Sequence, residues 1–261
     1  MRKIRHLYRR LMSRKMTDIQ IVIPARYAAT RLPGKPLQLL AGEPMIVHTA
    51  RRAAQSGLPV LVAYDDERIG AVLAQYGIAA IATSTAHENG THRLSEVVQK
   101  KGWNDDTLIV NVQGDEPLLP PTLIRQVADC LIRHPEAAVA TLATPFQSDE
   151  SPASPNMVKV VSDMQGYALY FSRSLLPCVR DGGDFPDRRH IGIYAYRGKA
   201  LRAYPQLAAT PLEQAEKLEQ LRFLEQGFRI AVDNVAQAPP AGVDSPEDAQ
   251  RVDALLRAAA D

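Results

Sequence analysis

Residues 19–36, Ile-Gln-Ile-Val-Ile-Pro-Ala-Arg-Tyr-Ala-Ala-Thr-Arg-Leu-Pro-Gly-Lys-Pro, join a short β-branched run to a loop rich in cations. Ile19 to Ile23 reads as a buried strand that ends at Pro24, and Arg26, Arg31 and Lys35 follow it directly. Open α/β sheets bind ligands beyond the carboxyl ends of their strands. Small residues at that place let backbone amides approach a phosphate chain, while Arg and Lys neutralise it. The loop carries neither GxxxxGK[ST] nor GxGxxG, so it is no Walker A loop and no Rossmann fingerprint. A solvated basic loop is the competing reading. Three cations at this topological point favour the phosphate one.

Beyond the loop, strand and helix patterns alternate. Helix patterns cover Pro44 to Gln55, Asp66 to Gln75 with Asp65 or Asp66 as N-cap, and Pro120–Pro121 to Arg133. Apolar runs at Pro59 to Ala63, Thr107 to Val112 and Ala138 to Ala143 separate them. This predicts an α/β fold with a mostly parallel, doubly wound sheet and helices on both faces. After Pro145, Met157 to Val161, Tyr167 to Phe171 and Ile191 to Tyr196 read as strands without intervening helices. They predict a partly antiparallel region that covers the active face. A long helix from Pro211 to about Gln226 and a last one from Pro246 to Ala260 complete the pattern. Between Cys178 and Arg188 the Asp- and Gly-rich sequence predicts a mobile loop. No repeat and no separating linker is found, so residues 18–261 are expected to form one domain.

The 261 residues include 46% apolar and 23% charged side chains, which is ordinary globular composition. No apolar stretch approaches the roughly 18–20 residues that span a bilayer, so stable membrane insertion is not expected. The net charge of +2 hides an asymmetry: residues 1–16 hold seven Arg and Lys and no acid, leaving 24 basic against 29 acidic residues in the rest. A basic body gripping nucleic acid is therefore excluded. Residues 1–17 are expected to be a disordered basic extension, and an amphipathic surface helix through Ile4, Leu7, Tyr8 and Leu11 is the other reading. Cys130 and Cys178 offer neither a disulfide framework nor a metal cluster, which suits a reducing cytoplasm.

Further chemistry lies in three segments. Asn111-Val112-Gln113-Gly114-Asp115-Glu116-Pro117 closes a buried strand at the same sheet edge as the cationic loop. Asp115 there either caps the next segment or holds Mg²⁺ against phosphate oxygens, a role that needs only one or two carboxylates. Val243-Asp244-Ser245-Pro246-Glu247-Asp248 reads as a helix start, with Asp244 the carboxylate free to face the site. His190, Gly192 and Tyr194 share one face of a strand by its period of two. Ala215, Leu218 and Leu221 form a packing stripe on the long helix, with acids and amides beside it.

In order, PARYAATRLPGKPL, NVQGDEP, KVVSDMQGYALYFSR, RHIGIYAYR, PLEQAEKLEQLR and GVDSPED resemble the 3-deoxy-manno-octulosonate (Kdo) cytidylyltransferases, the CMP-Kdo synthetase family of lipopolysaccharide biosynthesis. The resemblance runs from about Asp18 to the C-terminus and implies a nucleotide-diphospho-sugar transferase-like fold that acts as a cytoplasmic homodimer, its antiparallel region serving dimerisation as well. It implies CTP and the acidic sugar Kdo as substrates and Mg²⁺ as cofactor. Residue by residue, it assigns Arg26, Thr30, Arg31 and Lys35 to the triphosphate, with Arg26, Lys35, Asp115 and Asp244 catalytic. Asp115 and Asp244 would hold the metal. His87, Gly90, Thr91 and Arg93 fall in a cytidine-facing loop that matches Thr83 to Arg93. Gln113, Arg173, His190, Tyr194, Glu219 and Gln220 would meet the sugar. Ala29 stands where the family has serine, His92 where it has an acid and Tyr64 where it has threonine, and the stretch between Arg173 and His190 is shorter. Another acidic sugar, such as an 8-amino Kdo variant or a nonulosonic acid, and a catalytically impaired binding paralogue are the alternative readings.

Overall fold

Strand β1 (Ile19–Ala25) runs inside the sheet because both of its faces are apolar. Ile21 and Ile23 pack into one layer, with helices α1 (Met45–Ala54), α2 (Glu67–Gln75) and α4 (Pro121–Arg133). Val22 packs into the other, with α3 (Gly90–Lys101) and α5 (Gly198–Ala203). All three β1 side chains are fully buried, each worth on the order of 1.5–3 kcal/mol. The computed structural model describes residues 17–28, 34–183 and 185–259. Thr30, Arg31 and Ala29 of the cationic loop, and the expected basic extension up to residue 16, lie outside them.

Two residues each form β2 (Leu39–Leu40) and β3 (Glu43–Pro44), a separate hairpin. The main sheet adds β4 (Val60–Tyr64), β5 (Ala80–Ala82), β6 (Leu108–Asn111), β7 (Ala137–Pro145), β8 (Lys159–Ser162), β9 (Ala168–Ser172), β10 (Arg188–Arg197) and β11 (Arg229–Asn234). Its order is β11-β7-β10-β6-β1-β4-β5, with β8 pairing β10 and β9. β6, β1, β4 and β5 are mutually parallel, as are β7 and β11. The doubly wound, mostly parallel sheet is therefore present. Among the described residues no helix is long and apolar enough to cross a membrane.

Two expectations need correcting. Ile191 to Tyr196 belongs to no covering layer. As β10 it runs antiparallel between β6 and β7 in the middle of the sheet, since Ile191, Ile193 and Ala195 are buried on one side and Tyr196 on the other. Among the described residues, β8 and β9 alone extend outward as the antiparallel annex. The long helix from Pro211 to Gln226 is two short ones, α6 (Pro211–Glu216) and α7 (Gln220–Glu225). Lys217 interrupts them in the left-handed region at φ 53° and ψ 46°. The halves are held together by the Arg222–Glu213 pair, whose two nitrogens donate to the two carboxylate oxygens at 2.7 and 2.8 Å with both side chains nearly buried. The last helix, α8 (Pro246–Ala258), starts at the Ser245–Asp248 capping box as the sequence predicts.

Candidate active site

β1, β4 and β6 all point their carboxyl ends to one edge, so the segments after them meet there. Gly114 makes the meeting close: a Cβ on it would lie 2.8 Å from the carbonyl oxygen of Pro24, nearer than real Cβ atoms come. The loop after β6 also accepts at the Asp115 carbonyl from the Val243 amide at 2.9 Å, which draws in the segment before α8. Between these segments lies a cavity of about 230 Å³ whose walls include Arg26, Lys35, Gly90, Gln113 and Asp115.

Lys35 fixes the electrostatics. Its ammonium donates to Asp115 at 2.5 Å and to Asp244 at 2.9 Å. Burial alone would lower its pKa; the two carboxylates more than offset this and hold it above the usual lysine value. Asp115 and Asp244, 129 positions apart in the chain, thus converge on one cation-sized position. Two hard oxygen donors around such a position fit Mg²⁺, which takes few protein carboxylates and completes its shell with substrate oxygens and water. Among the described residues no group of three or more His, Cys, Asp and Glu is placed to hold a metal. Glu116 lies beside this pair; burial, then the charges of Asp115 and Asp244, push its carboxyl up to about 8, and its Oε2 has no partner.

Arg26 donates through Nη1 to the Glu88 carbonyl at 3.2 Å, while its buried Nη2 has no partner among the described residues. A buried guanidinium nitrogen without an acceptor is costly unless an anion supplies one. Gly90 and Thr91 open α3, so the positive end of that helix adjoins the cavity, and Asn89 caps it by accepting from the His92 amide at 2.9 Å. The cytidine-facing segment is therefore a loop only as far as Asn89. His87 turns to Glu96, 2.5 Å from its Nε2. His92 packs edge-on to Tyr204, and burial followed by the charge of Arg222 lowers its pKa.

Arg93 is committed to protein partners. It is fully buried, donating to Thr83 at 2.5 Å and to Asp65 at 2.9 Å. It does not line the cavity, and both of its terminal nitrogens meet protein acceptors.

Of the residues expected to meet the sugar, Gln113 lines the cavity. His190, Tyr194 and Glu219 are not among its lining residues. The rings of His190 and Tyr194 are 5.3 Å apart, and Glu219 accepts from the Thr91 hydroxyl at 2.9 Å. Burial lifts the Glu219 carboxyl above its ordinary range against the hydrogen bonds from Thr91 and the charge of Arg26. Burial likewise pushes His190 down to about 3, which keeps its imidazole neutral. The Thr141 hydroxyl donates to the Ile191 or Ile193 carbonyl, so its oxygen accepts from His190 Nε2 at 2.9 Å. That assigns the proton to Nε2 and leaves Nδ1 as an acceptor. Gln220 is buried with its Nε2 unpartnered. Arg173 stands apart, donating to the carbonyls of Glu216 at 2.7 Å and Pro155 at 2.8 Å.

Sequence reasoning passed over Asp65. Two acids follow β4, and Asp66 alone caps α2, accepting from the Arg68 amide at 3.0 Å. An acid left over beside a cap, at the carboxyl end of a parallel strand, was the available signal.

An open α/β sheet with a cationic loop, a carboxylate pair and a helix N-terminus at one edge defines a nucleotidyltransferase. Residues 20–230 match the family described as cytidylyltransferase, and the chain belongs to that family. It is 66% identical over 241 residues to a 3-deoxy-manno-octulosonate cytidylyltransferase of Dichelobacter nodosus, covering 92% of this chain and 98% of the relative. It is 52% identical over 248 residues to that of Nitrosococcus oceani, covering 91% and 96%. A solved CMP:2-keto-3-deoxy-manno-octonic acid synthetase complexed with CTP superposes with a TM-score of 0.87 at 42% identity, covering 93% of this chain and all of the other. A cytidylyltransferase from Leptospira borgpetersenii, at 14% identity, TM-score 0.61 and coverage of 93% and 87%, shares the fold.

Proposed function

We propose that this chain transfers CMP from CTP to the anomeric hydroxyl of Kdo, releasing pyrophosphate. The observation that carries the reading is the convergence of Lys35, Asp115 and Asp244 beside the unpartnered guanidinium nitrogen of Arg26. The relatives named above support the particular substrates.

Phosphoryl chemistry of this kind is mainly positioning and charge stabilisation and needs no covalent nucleophile. Arg26 and the amino end of α3 bind the triphosphate, joined by Thr30 and Arg31 of the same loop. Asp115 and Asp244 would hold Mg²⁺, which when bound screens the phosphate charge and lowers the pKa of an attacking hydroxyl. Lys35, on a flexible four-carbon stem, then turns its ammonium from the carboxylates to the triphosphate. Gly90 and Thr91 border the nucleoside. Gln113, Glu219, Gln220, Tyr194 and the free Nδ1 of neutral His190 offer a set of donors and acceptors suited to a polyhydroxy acid, with Arg173 for its carboxylate. Two copies pair through the β8–β9 annex, a reading supported by its exposed Met164 and Leu169. Two free cysteines suit a reducing cytoplasm.

Pyrophosphate release from CTP plus Kdo with Mg²⁺ tests the reading. Release that needs both substrates and falls by at least about 10²-fold in Asp115→Asn, with thermal unfolding unchanged, is expected. No release from folded wild-type protein with Kdo, but release with an 8-amino or nonulosonic acid, moves the assignment to that sugar.

A further inference from the structure

The loop that bears Arg26, Thr30, Arg31 and Lys35 is closed at its neck by Tyr27. The Tyr27 carbonyl accepts from the Gly34 amide at 3.1 Å, so the two ends of the loop meet at this residue. The Tyr27 amide in turn donates to Asp65 Oδ1 at 2.9 Å. Asp65 comes within reach because β1 and β4 are parallel and in register at Ala25 and Tyr64, which places the next residues of both strands side by side. Its other oxygen, Oδ2, accepts from Arg93 Nη2 at 2.9 Å. Arg93 is buried in α3, one turn beyond Gly90 and Thr91, and its Nη1 donates to Thr83 at the start of the preceding loop. Arg68, paired with Asp66, lies over the Tyr27 ring at 3.5 Å and covers the same neck from outside.

We propose that Asp65 is a positioning residue for the triphosphate, a strut through which buried Arg93 and the helix beside the nucleoside set the neck of the cationic loop. This deepens the nucleotidyltransferase reading above and rests on it. Each bond in the strut is made by a buried or half-buried group, and Asp65 has one oxygen for each partner. A carboxylate held by a guanidinium on one side is a fixed acceptor on the other, so the amide of Tyr27, and with it the start of the loop, has one position.

Single substitutions would strand a buried charge, so the test uses two double variants that both remove the ion pair. Asp65→Ala with Arg93→Met removes the acceptor for Tyr27; Asp65→Asn with Arg93→Met keeps one. Titration calorimetry with CTP and with CMP, in Mg²⁺, reads the effect. In the Ala double variant CTP binding is expected to weaken at least tenfold and CMP binding much less, because fewer phosphates depend on the loop. The Asn double variant is expected to regain most of the CTP affinity. Equal CTP affinity in the two variants, or equal loss for CTP and CMP, overturns the proposal. Amide hydrogen exchange over residues 26–28 reads the strut independently of any ligand, and faster exchange in the Ala than in the Asn double variant is expected. If wild-type protein binds no CTP, the nucleotide reading falls, while unchanged exchange at Tyr27 sinks the strut by itself.

Discussion

Lys35 makes two ion pairs to carboxylates that are otherwise too far apart in the chain to be read as partners. Its 3₁₀ turn, Lys35–Leu37, follows the left-handed Gly34, whose φ of 69° aims the side chain back across the cavity. Arg26, Lys35, Gln113 and Asp115 were legible in the sequence because each follows a strand whose apolar pattern is unambiguous. The bonds of Arg93 were not legible, for the opposite reason. A guanidinium reads the same whether it meets a ligand or a buried carboxylate, and only its neighbours Asp65 and Thr83 decide. Arg173 is a case where a side chain is already engaged by backbone carbonyls, with the amide of the same residue donating to Glu216 at 2.9 Å. Its Nη2 donors are not used by these bonds. Arg173→Ala is expected to raise KM for the sugar roughly tenfold or more, the loss of a charge-assisted hydrogen bond, with much less effect on KM for CTP. Steady-state kinetics with each substrate varied checks this, and an equal rise in both constants removes the assignment.

The break between α6 and α7 illustrates why an amphipathic pattern overruns. The stripe of Ala215, Leu218 and Leu221 has helical spacing throughout, and nothing in it marks a stop. Lys217 nevertheless takes a left-handed conformation, which costs a non-glycine residue about 1–2 kcal/mol. The break reorients the chain so that Glu219 reaches Thr91, whereas a continuous helix would hold it in line with Glu216. Glu216 instead gathers Ser172 and the Arg173 amide, tying α6 to β9. Lys217→Gly should therefore stabilise the protein by about 1 kcal/mol, raising Tm by about 2–4 °C, while leaving turnover intact. Lys217→Ala should give no such gain. Thermal unfolding of both variants checks the assignment, and a lower Tm for the glycine variant would show that the lysine side chain, not the backbone, holds the turn.

The whole molecule responds to pH through groups that folding removes from water. His190 has its pKa lowered from 6.5 to about 3 by burial, among Thr141, Phe171 and Tyr194. Below pH 6.5 the unfolded chain takes up a proton there that the folded chain refuses, so the His190 contribution falls as pH drops from 6.5 towards 3 and is level above 6.5, while Glu116, raised to about 8, adds a slope of opposite sign between 4.5 and 8. The His190 slope is up to about 1.4 kcal/mol per pH unit in its window. Denaturant unfolding of wild type and His190→Gln between pH 4 and 7 isolates it: the stability of the variant relative to wild type should rise as pH drops below 6.5, and a difference that does not change with pH would mean that His190 is accessible to protons. The sequence by itself determined the alternation of β1, α1, β4, α2, β6, α4 and β7, the last helix α8, and the edge on which Arg26, Lys35 and Asp115 stand, but not α3, α5, β5 or β11. Those features follow from local periodicity and from the rule that strand ends bind ligands. Only the tertiary structure decided that β10 is inserted in the sheet, that Lys217 breaks a helix, and that Asp65 rather than Asp66 faces Tyr27 and Arg93. Each of these depends on which groups meet across long sequence separations, where hydrogen-bond satisfaction and burial outweigh the preferences that a local pattern records.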